Sequence, residues 1–389
     1  MTDLGVLVFG GPASGKTSLL TATWVAARER LQAKRFTIEP DLDDEYTLNV
    51  AREMLEDTFI EEKSPYYRAV QANAFPQRLR MYLRPATKPG AGRPEPLLTL
   101  TFVDTPGEFS QKRLSALVAE FQAGIRAGLL VVDVVELMAP PGQVHAAVAR
   151  NHPSVVRRGI EEWVAASPSS QSLVLVLALA KCETWFRQRG DQSERIDLDA
   201  RSNEVLDGLK FRYAELFEFL KQYQDRVAVV VCPTQTVGNL VFENYLPPYE
   251  PGGYPGEQFR KIRGEANSMQ PATGYAPAYC EVPLQHILNF ALIGEIEAAF
   301  AAADREVDTL VRDLPWWLKP LVGERSKKWL KSLNRALEGS LGPTAGLVET
   351  LSGFLRDIPS GPGFATLQGE PLLARSYTLW LDVWKALTS

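Results

Sequence analysis

The feature that most constrains this chain is a run near its start, Gly10-Gly11-Pro12-Ala13-Ser14-Gly15-Lys16-Thr17, which fits G-x-x-x-x-G-K-[ST]. The residues before it, LGVLVF at 4–9, form a short apolar run that reads as a buried strand. A helical pattern follows from Lys16 to about Leu31. Strand, glycine-rich loop and helix in that order make a cradle for phosphate. The glycines let consecutive backbone N–H groups turn inward, and the helix adds the positive end of its dipole. Lys16 is placed to reach β and γ phosphates, the Thr17 hydroxyl to ligate Mg²⁺, and Ser18 is the last of the candidate nucleotide-binding residues of this loop.

Downstream, the pattern predicts an α/β fold. Gln77 to Arg84 alternates apolar and polar residues, and Leu97 to Val103 is a second strand after the connection PATKPGAGRPEP. That connection is too short and too rich in proline for a crossover helix, so the two strands are expected to pair antiparallel. Strands at Gly128–Val135, Leu173–Leu179 and Val227–Cys232 then alternate with helices at 110–125, Ser154–Ala166 and Glu204–Tyr223. Near-continuous Val, Leu and Ala runs belong to strands covered on both faces, which predicts three layers around a mostly parallel sheet. The segment Thr37 to Ala74 offers helical stretches and no clear strand. Residues 239–283, rich in Pro, Gly and Tyr, read as a long surface insertion. The domain reading is therefore 1–300 for a nucleotide-binding domain, with an enlarged segment at 35–76, and 301–389 for a helical C-terminal extension.

Asp104-Thr105-Pro106-Gly107 follows the strand Leu97–Val103 directly. An acid at the carboxyl end of a buried strand is where a magnesium shell is held, and Gly107 offers a backbone N–H near a γ-phosphate. Taken together, the phosphate loop, the antiparallel strand pair and DTPG resemble the P-loop GTPases of the translation-factor and Ras-like class. The long segment before Asp104, the 239–283 insertion and the helical tail resemble bacterial GTPases of the double-GTPase, or GTPase-associated, type. Those are inferred to act in conflict or signalling systems.

The resemblance implies GTP/GDP and Mg²⁺ as ligands, with loops that switch on hydrolysis and contact a protein partner. The position after Gly107, often a water-orienting glutamine in that class, is Glu108. A carboxylate beside the γ-phosphate implies slow turnover. The class also supplies a magnesium-ligating threonine from the segment between Lys16 and Asp104. Thr47, Thr58 and Thr87 lie there, and Thr58 is taken as the candidate. Guanine is read in the class by N/T-K-x-D, and the matching place here is Ala180-Lys181-Cys182-Glu183. Lys181 can lay its stem over a base, and Glu183 can accept from guanine N1–H and the exocyclic amine. An exposed strand-to-helix turn carrying two charges is the alternative at this place. Thr234, in the stretch Pro233–Gly238 after the last strand, matches the loop that closes over the base. An ATP-binding protein of the same architecture, and a nucleotide-binding scaffold without turnover, remain open alternatives.

Composition excludes other classes. Forty-seven acids against 42 bases give a net charge of −5, which provides no global pull toward nucleic acid or anionic lipid. The N-terminus MTDLGVLVFGG lacks a cationic leader, and the longest strongly apolar stretch, Leu173 to Ala180, is far short of the ~20 residues a membrane helix needs. Three cysteines, Cys182, Cys232 and Cys280, cannot build a disulfide framework and suit a reducing, cytoplasmic setting. His145 and His152 have no companions at ligand spacing and read as surface histidines. Trp316, Trp317, Trp329, Trp380 and Trp384 in the tail mark either packing of the helical extension or a partner or membrane-surface helix.

Overall fold

The computed structural model describes residues 2–11, 14–32, 36–60, 66–68, 78–85, 94–96, 98–104, 125–139, 151–183, 198–238, 240–246, 256–261, 275, 277–290, 359, 363–370 and 372–373. Eleven strands run through them: β1 Thr2–Phe9, β2 Phe36–Pro40, β3 Tyr66–Arg68, β4 Arg78–Pro85, β5 Leu98–Asp104, β6 Ala127–Asp133, β7 Leu173–Ala180, β8 Val227–Pro233, β9 Leu240–Leu246, β10 Gly256–Lys261 and β11 Ala365–Gln368. The helices are α1 Lys16–Gln32, α2 Leu42–Ile60, α3 Val134–Leu137, α4 Pro153–Ala166, α5 Leu198–Arg212, α6 Ala214–Lys221 and α7 over 282–290.

Eight strands make one sheet in the order β11-β8-β7-β6-β1-β5-β4-β2. β1 pairs in parallel with β5 and β6, β6 with β7, and β7 with β8. β4 runs antiparallel to β5, as the short proline-rich connection requires, and also to β2 on its other side. β11 closes the far edge antiparallel to β8. Alternation along each central strand splits the core in two. Val6, Val8, Val174, Val176 and Ala178 face α1 and α7, packing with Leu20, Trp24, Leu284 and Leu288. Leu7, Phe9, Leu175, Leu177 and Leu179 face α4, α5 and α6, packing with Ile160, Trp163, Leu209 and Leu216. Two apolar clusters separated by one sheet are the three layers expected from unbroken Val/Leu/Ala strands.

Side-chain donors lock these layers. The Trp24 indole on α1 donates to the Ile38 carbonyl of β2 at 3.2 Å, and the Thr23 hydroxyl donates to the Cys280 carbonyl at 2.7 Å. On the opposite face the Trp163 indole donates to Ile125 O at 3.0 Å. Arg226 ties the C-terminal end of α4 to the turn before β8 by donating to the carbonyls of Val164, Ser167, Pro168 and Gln171.

Several local expectations need correction. The segment Thr37–Ala74 holds β2 and β3. Pairing with β4 and β10 supplies the order that its mixed local pattern does not signal. The expected helix Glu204–Tyr223 begins at Leu198 and breaks at Tyr213. The Gly128–Val135 strand stops at Asp133, whose carboxylate accepts from the N–H groups of Val135 and Glu136 and so turns the chain into α3. The 239–283 insertion is not merely surface loop. β9 and β10 join β3 in a second, antiparallel sheet of order β3-β10-β9, seated on Leu55, Val135 and Val237. The strand at 365–368 was also not visible in the sequence. The expected helix 110–125 and the tail tryptophans lie outside the described residues, as does His145. Among the described residues no helix is long and apolar enough to cross a membrane.

Candidate functional site

β1 lies between β5 and β6, so the loop leaving its carboxyl end emerges mid-sheet. Gly10 has φ 145°, and a Cβ there would stand 2.8 Å from Ser14 Oγ and 2.9 Å from the Val131 carbonyl, so only glycine fits. Gly15 has φ 98°. The Ser14 N–H donates to Gly11 O at 3.3 Å, and the Leu19 N–H donates to Gly15 O at 2.8 Å, which opens α1. The Lys16 ammonium folds into the loop, donating to Gly10 O at 2.8 Å and Gly11 O at 3.4 Å. Ser14 is buried, and its hydroxyl has no hydrogen-bond partner among the described residues. Thr17 and Ser18 are half-buried in the first turn of α1. Pro12 and Ala13 lie outside the described residues.

Asp104 ends β5 in register with Val8 of β1, which brings it to the same end of the sheet as the loop. Its side chain lies outside the described residues, as do Gly107 and Glu108. Thr58 is in the last turn of α2, its side chain likewise outside. Among the described residues no group of three or more His, Cys, Asp or Glu is placed to hold a metal.

At the end of β7 the second loop comes against the first: a Cβ on Gly15 would lie 3.7 Å from Ala180 Cβ. Lys181 takes a left-handed backbone, φ 63°, which turns its side chain back over the sheet end. Its ammonium pairs with the Asp133 carboxylate at 2.5 Å and stands 6.0 Å over the Phe259 ring. Asp133 is fully buried, yet its charge is well served. Besides Lys181 and the two α3 amides, Asn151 clamps its backbone by accepting from Asp133 N at 2.8 Å and donating to Asp133 O at 3.0 Å.

Glu183 is 1% exposed. One carboxylate oxygen accepts from the N–H groups of Val237 and Gly238, at 3.1 and 3.3 Å, while the other has no partner among the described residues. Burial raises the Glu183 carboxyl above the ordinary range, against the pull of those amides and of Lys181. The reading of this loop as an exposed turn is therefore overturned. Thr234 is buried too. Its hydroxyl and N–H both donate to Leu179 O, and its carbonyl accepts from Cys182 N–H, so it ties together the loops that follow β7 and β8. Cys182 is buried with its thiol on Leu179 O, and burial pushes its pKa up; the neighbouring lysine does not activate it.

The structure thus gathers Gly10, Gly11, Ser14, Gly15, Lys16 and Thr17 with Lys181, Glu183 and Thr234 at one end of the sheet. No family model matches the sequence, and no curated protein does. Among solved structures, the GTP-bound GTPase-like domain of S. cerevisiae Ski7 is similar over 65% of this chain and 48% of that one, at 18% identity and a TM-score of 0.29. The same domain bound to GDP and inorganic phosphate is similar over 60% and 43%, at 16% identity and a TM-score of 0.25. The chain spans under half the length of each.

Sequence reasoning missed Asp133, Asn151 and Phe259. Asp133 did leave a signal, a lone acid inside the apolar run LLVVDVV. Asn151 sits in a polar stretch that gives no hint of burial, and Phe259 is the one apolar residue in GEQFRK.

Proposed function

We propose that the chain is a guanine-nucleotide-binding regulatory protein. It binds GTP or GDP with Mg²⁺, hydrolyses GTP slowly, and uses hydrolysis to switch loops that contact a protein partner. The observation that carries this reading is the approach of Gly15 to Ala180, which brings the glycine-rich loop with the G-x-x-x-x-G-K-[ST] pattern against the loop carrying the buried Glu183.

Phosphates would lie on the Gly10–Ser18 backbone, with Pro12 and Ala13 in the same loop. There Lys16 exchanges its two internal carbonyls for phosphate oxygens, and the unpartnered Ser14 hydroxyl gains an acceptor. Thr17 and Asp104 supply hard oxygen ligands suited to Mg²⁺, and Thr58 is the further candidate. Held by these oxygens, Mg²⁺ would supply charge neutralisation at the phosphate oxygens. The free oxygen of Glu183 would accept from guanine, the Lys181 stem would cover the base plane, and the Thr234 loop would close the edge. In this reading Gly107 would lend an amide to the γ-phosphate, and Glu108, a carboxylate in place of an amide, would keep turnover slow.

A second reading, an ATP-binding protein of the same architecture, is favoured by Ala180, which has neither amide nor hydroxyl to tie the base loop to the phosphate loop. Titration of GTP, GDP and ATP analogues with Mg²⁺ into the wild type and Lys16→Ala decides between them. Guanine preference in the wild type, with nucleotide affinity lost in Lys16→Ala, is expected. A preference for ATP overturns the guanine assignment, and tight GTP binding without turnover makes the protein a nucleotide-binding scaffold.

A further inference from the structure

The second sheet has no place in the site as proposed, yet one of its side chains touches it. Phe259, on the middle strand β10, is 2% exposed and presents its ring to the Lys181 ammonium at 6.0 Å. Its other contacts lead back to the same lysine. Phe259 meets Phe242 of β9 edge-on, with centroids 5.9 Å apart, and Phe242 meets Tyr245 at 4.9 Å. The Tyr245 hydroxyl donates to Val135 O at 3.2 Å. Val135 is in α3, whose first amides are held by Asp133, and Asp133 pairs with Lys181. The path Lys181, Phe259, Phe242, Tyr245, Val135, Asp133, Lys181 is closed. Phe259 also packs in one buried cluster with Val237, whose N–H holds Glu183.

Resting on the guanine-site reading above, we infer that Phe259 is a positioning residue for the base site. Its ring face and the Asp133 carboxylate together fix the Lys181 ammonium, so that the lysine stem stands as a preformed wall for the base. The ring attracts the cation through its quadrupole, and the attraction is strongest where water is excluded. Fixing the stem before the ligand arrives removes an ordering cost from binding. The insertion is thereby part of nucleotide recognition even though it follows every residue of the phosphate and base loops in sequence.

The test compares GDP affinity with competition by inorganic pyrophosphate, which reports the phosphate end alone, in the full chain with Mg²⁺. Phe259→Leu keeps apolar bulk and removes the ring face. It is expected to weaken GDP about three- to tenfold and leave pyrophosphate competition unchanged. In a Lys181→Met background the same substitution is expected to have no further effect on GDP, since the cation is gone. Tyr245→Phe, which removes one hydroxyl from the closed path, is expected to give a smaller loss of the same kind and covers the case in which Phe259→Leu does not fold. Equal GDP affinity in the folded variants and the wild type overturns the inference. So does an equal loss with and without Lys181, or a parallel loss of pyrophosphate. A wild type that competes with pyrophosphate but shows no base preference overturns the guanine reading, and this inference with it.

Discussion

The two ends of the proposed site are built by opposite strategies. At the phosphate end one continuous segment does nearly everything. Gly10 and Gly15 adopt the backbone that the loop needs, and Lys16 satisfies itself on carbonyls five and six residues away. At the base end nothing is local. Lys181 is held by Asp133, 48 residues before it, and by the ring of Phe259. Glu183 holds amides 54 and 55 residues after it. A local device survives drift in the rest of the chain, whereas a dispersed one depends on the whole fold. The Gly10–Thr17 loop matches G-x-x-x-x-G-K-[ST], whereas Ala180-Lys181-Cys182-Glu183 departs from N/T-K-x-D at Ala180 and Glu183.

The strongest way to break the comparison is Lys16→Ala. With its charge-assisted contacts gone, nucleotide affinity is expected to fall about 100-fold or more in calorimetric titration, with an unchanged circular dichroism spectrum. If affinity is retained, binding energy does not reside in the phosphate loop and the contrast collapses.

Glu183→Gln probes the other end and is expected to cost about tenfold in preference for GDP over ADP. The same residue gives a pH signature. The Glu183 carboxyl is held above its ordinary 4.5 by burial, so its folded value exceeds its unfolded one. The unliganded protein then loses stability as pH rises from the unfolded value through the folded one, because a buried carboxyl ionises. Guanine affinity rises over the same window as the accepting carboxylate forms. Thermal melts and GDP titrations across this range should show the two opposed slopes, and Glu183→Gln should flatten both. Parallel slopes would mean that this carboxylate does not touch the base.

Glu108→Gln sharpens the phosphate side by asking about turnover alone. Hydrolysis measured under single-turnover conditions is expected to quicken several-fold with little change in GTP affinity, and a rate no faster than the wild type counts against Glu108 as the brake. The smallest effect is expected from Thr234→Val. Losing the hydroxyl bond to Leu179 O should cost about 1 kcal/mol in denaturant unfolding. A large fall in nucleotide affinity without that cost would put the Thr234 hydroxyl on the ligand instead.

The same contrast explains what could be read from the sequence. β1, α1, β4, β5, β6, β7 and β8 each carry a periodicity or an apolar run that fixes their type, and DTPG stands where β5 ends. β2 and β3 hide in a mixed stretch, and β10 is GEQFRK, polar but for Phe259. These strands exist because a partner strand supplies their hydrogen bonds, and β3 pairs with residues some 190 positions away. The buried state of Glu183 was equally hidden, because the amides that hold it come from the far side of β8. Lys181 and Glu183 could be picked out from their place after β7, but what holds them could not, because Asp133, Val237 and Gly238 lie far from them in sequence.

β11 carries a consequence for handling the protein. Its residues pair with Val229, Val230 and Val231, and the Gln368 amide donates to Leu220 O and Val227 O, which seals the last exposed flank of β8. A chain ended at residue 300 would leave β8, buried along its whole length in the intact protein, with an open row of backbone donors and acceptors. Such an edge is a template for strand addition by a second molecule. With β11 in place the outer strand on this side of the sheet is four residues long, and without it the seven-residue β8 takes that position, so shortened forms of this protein should be judged by their solubility before their nucleotide chemistry.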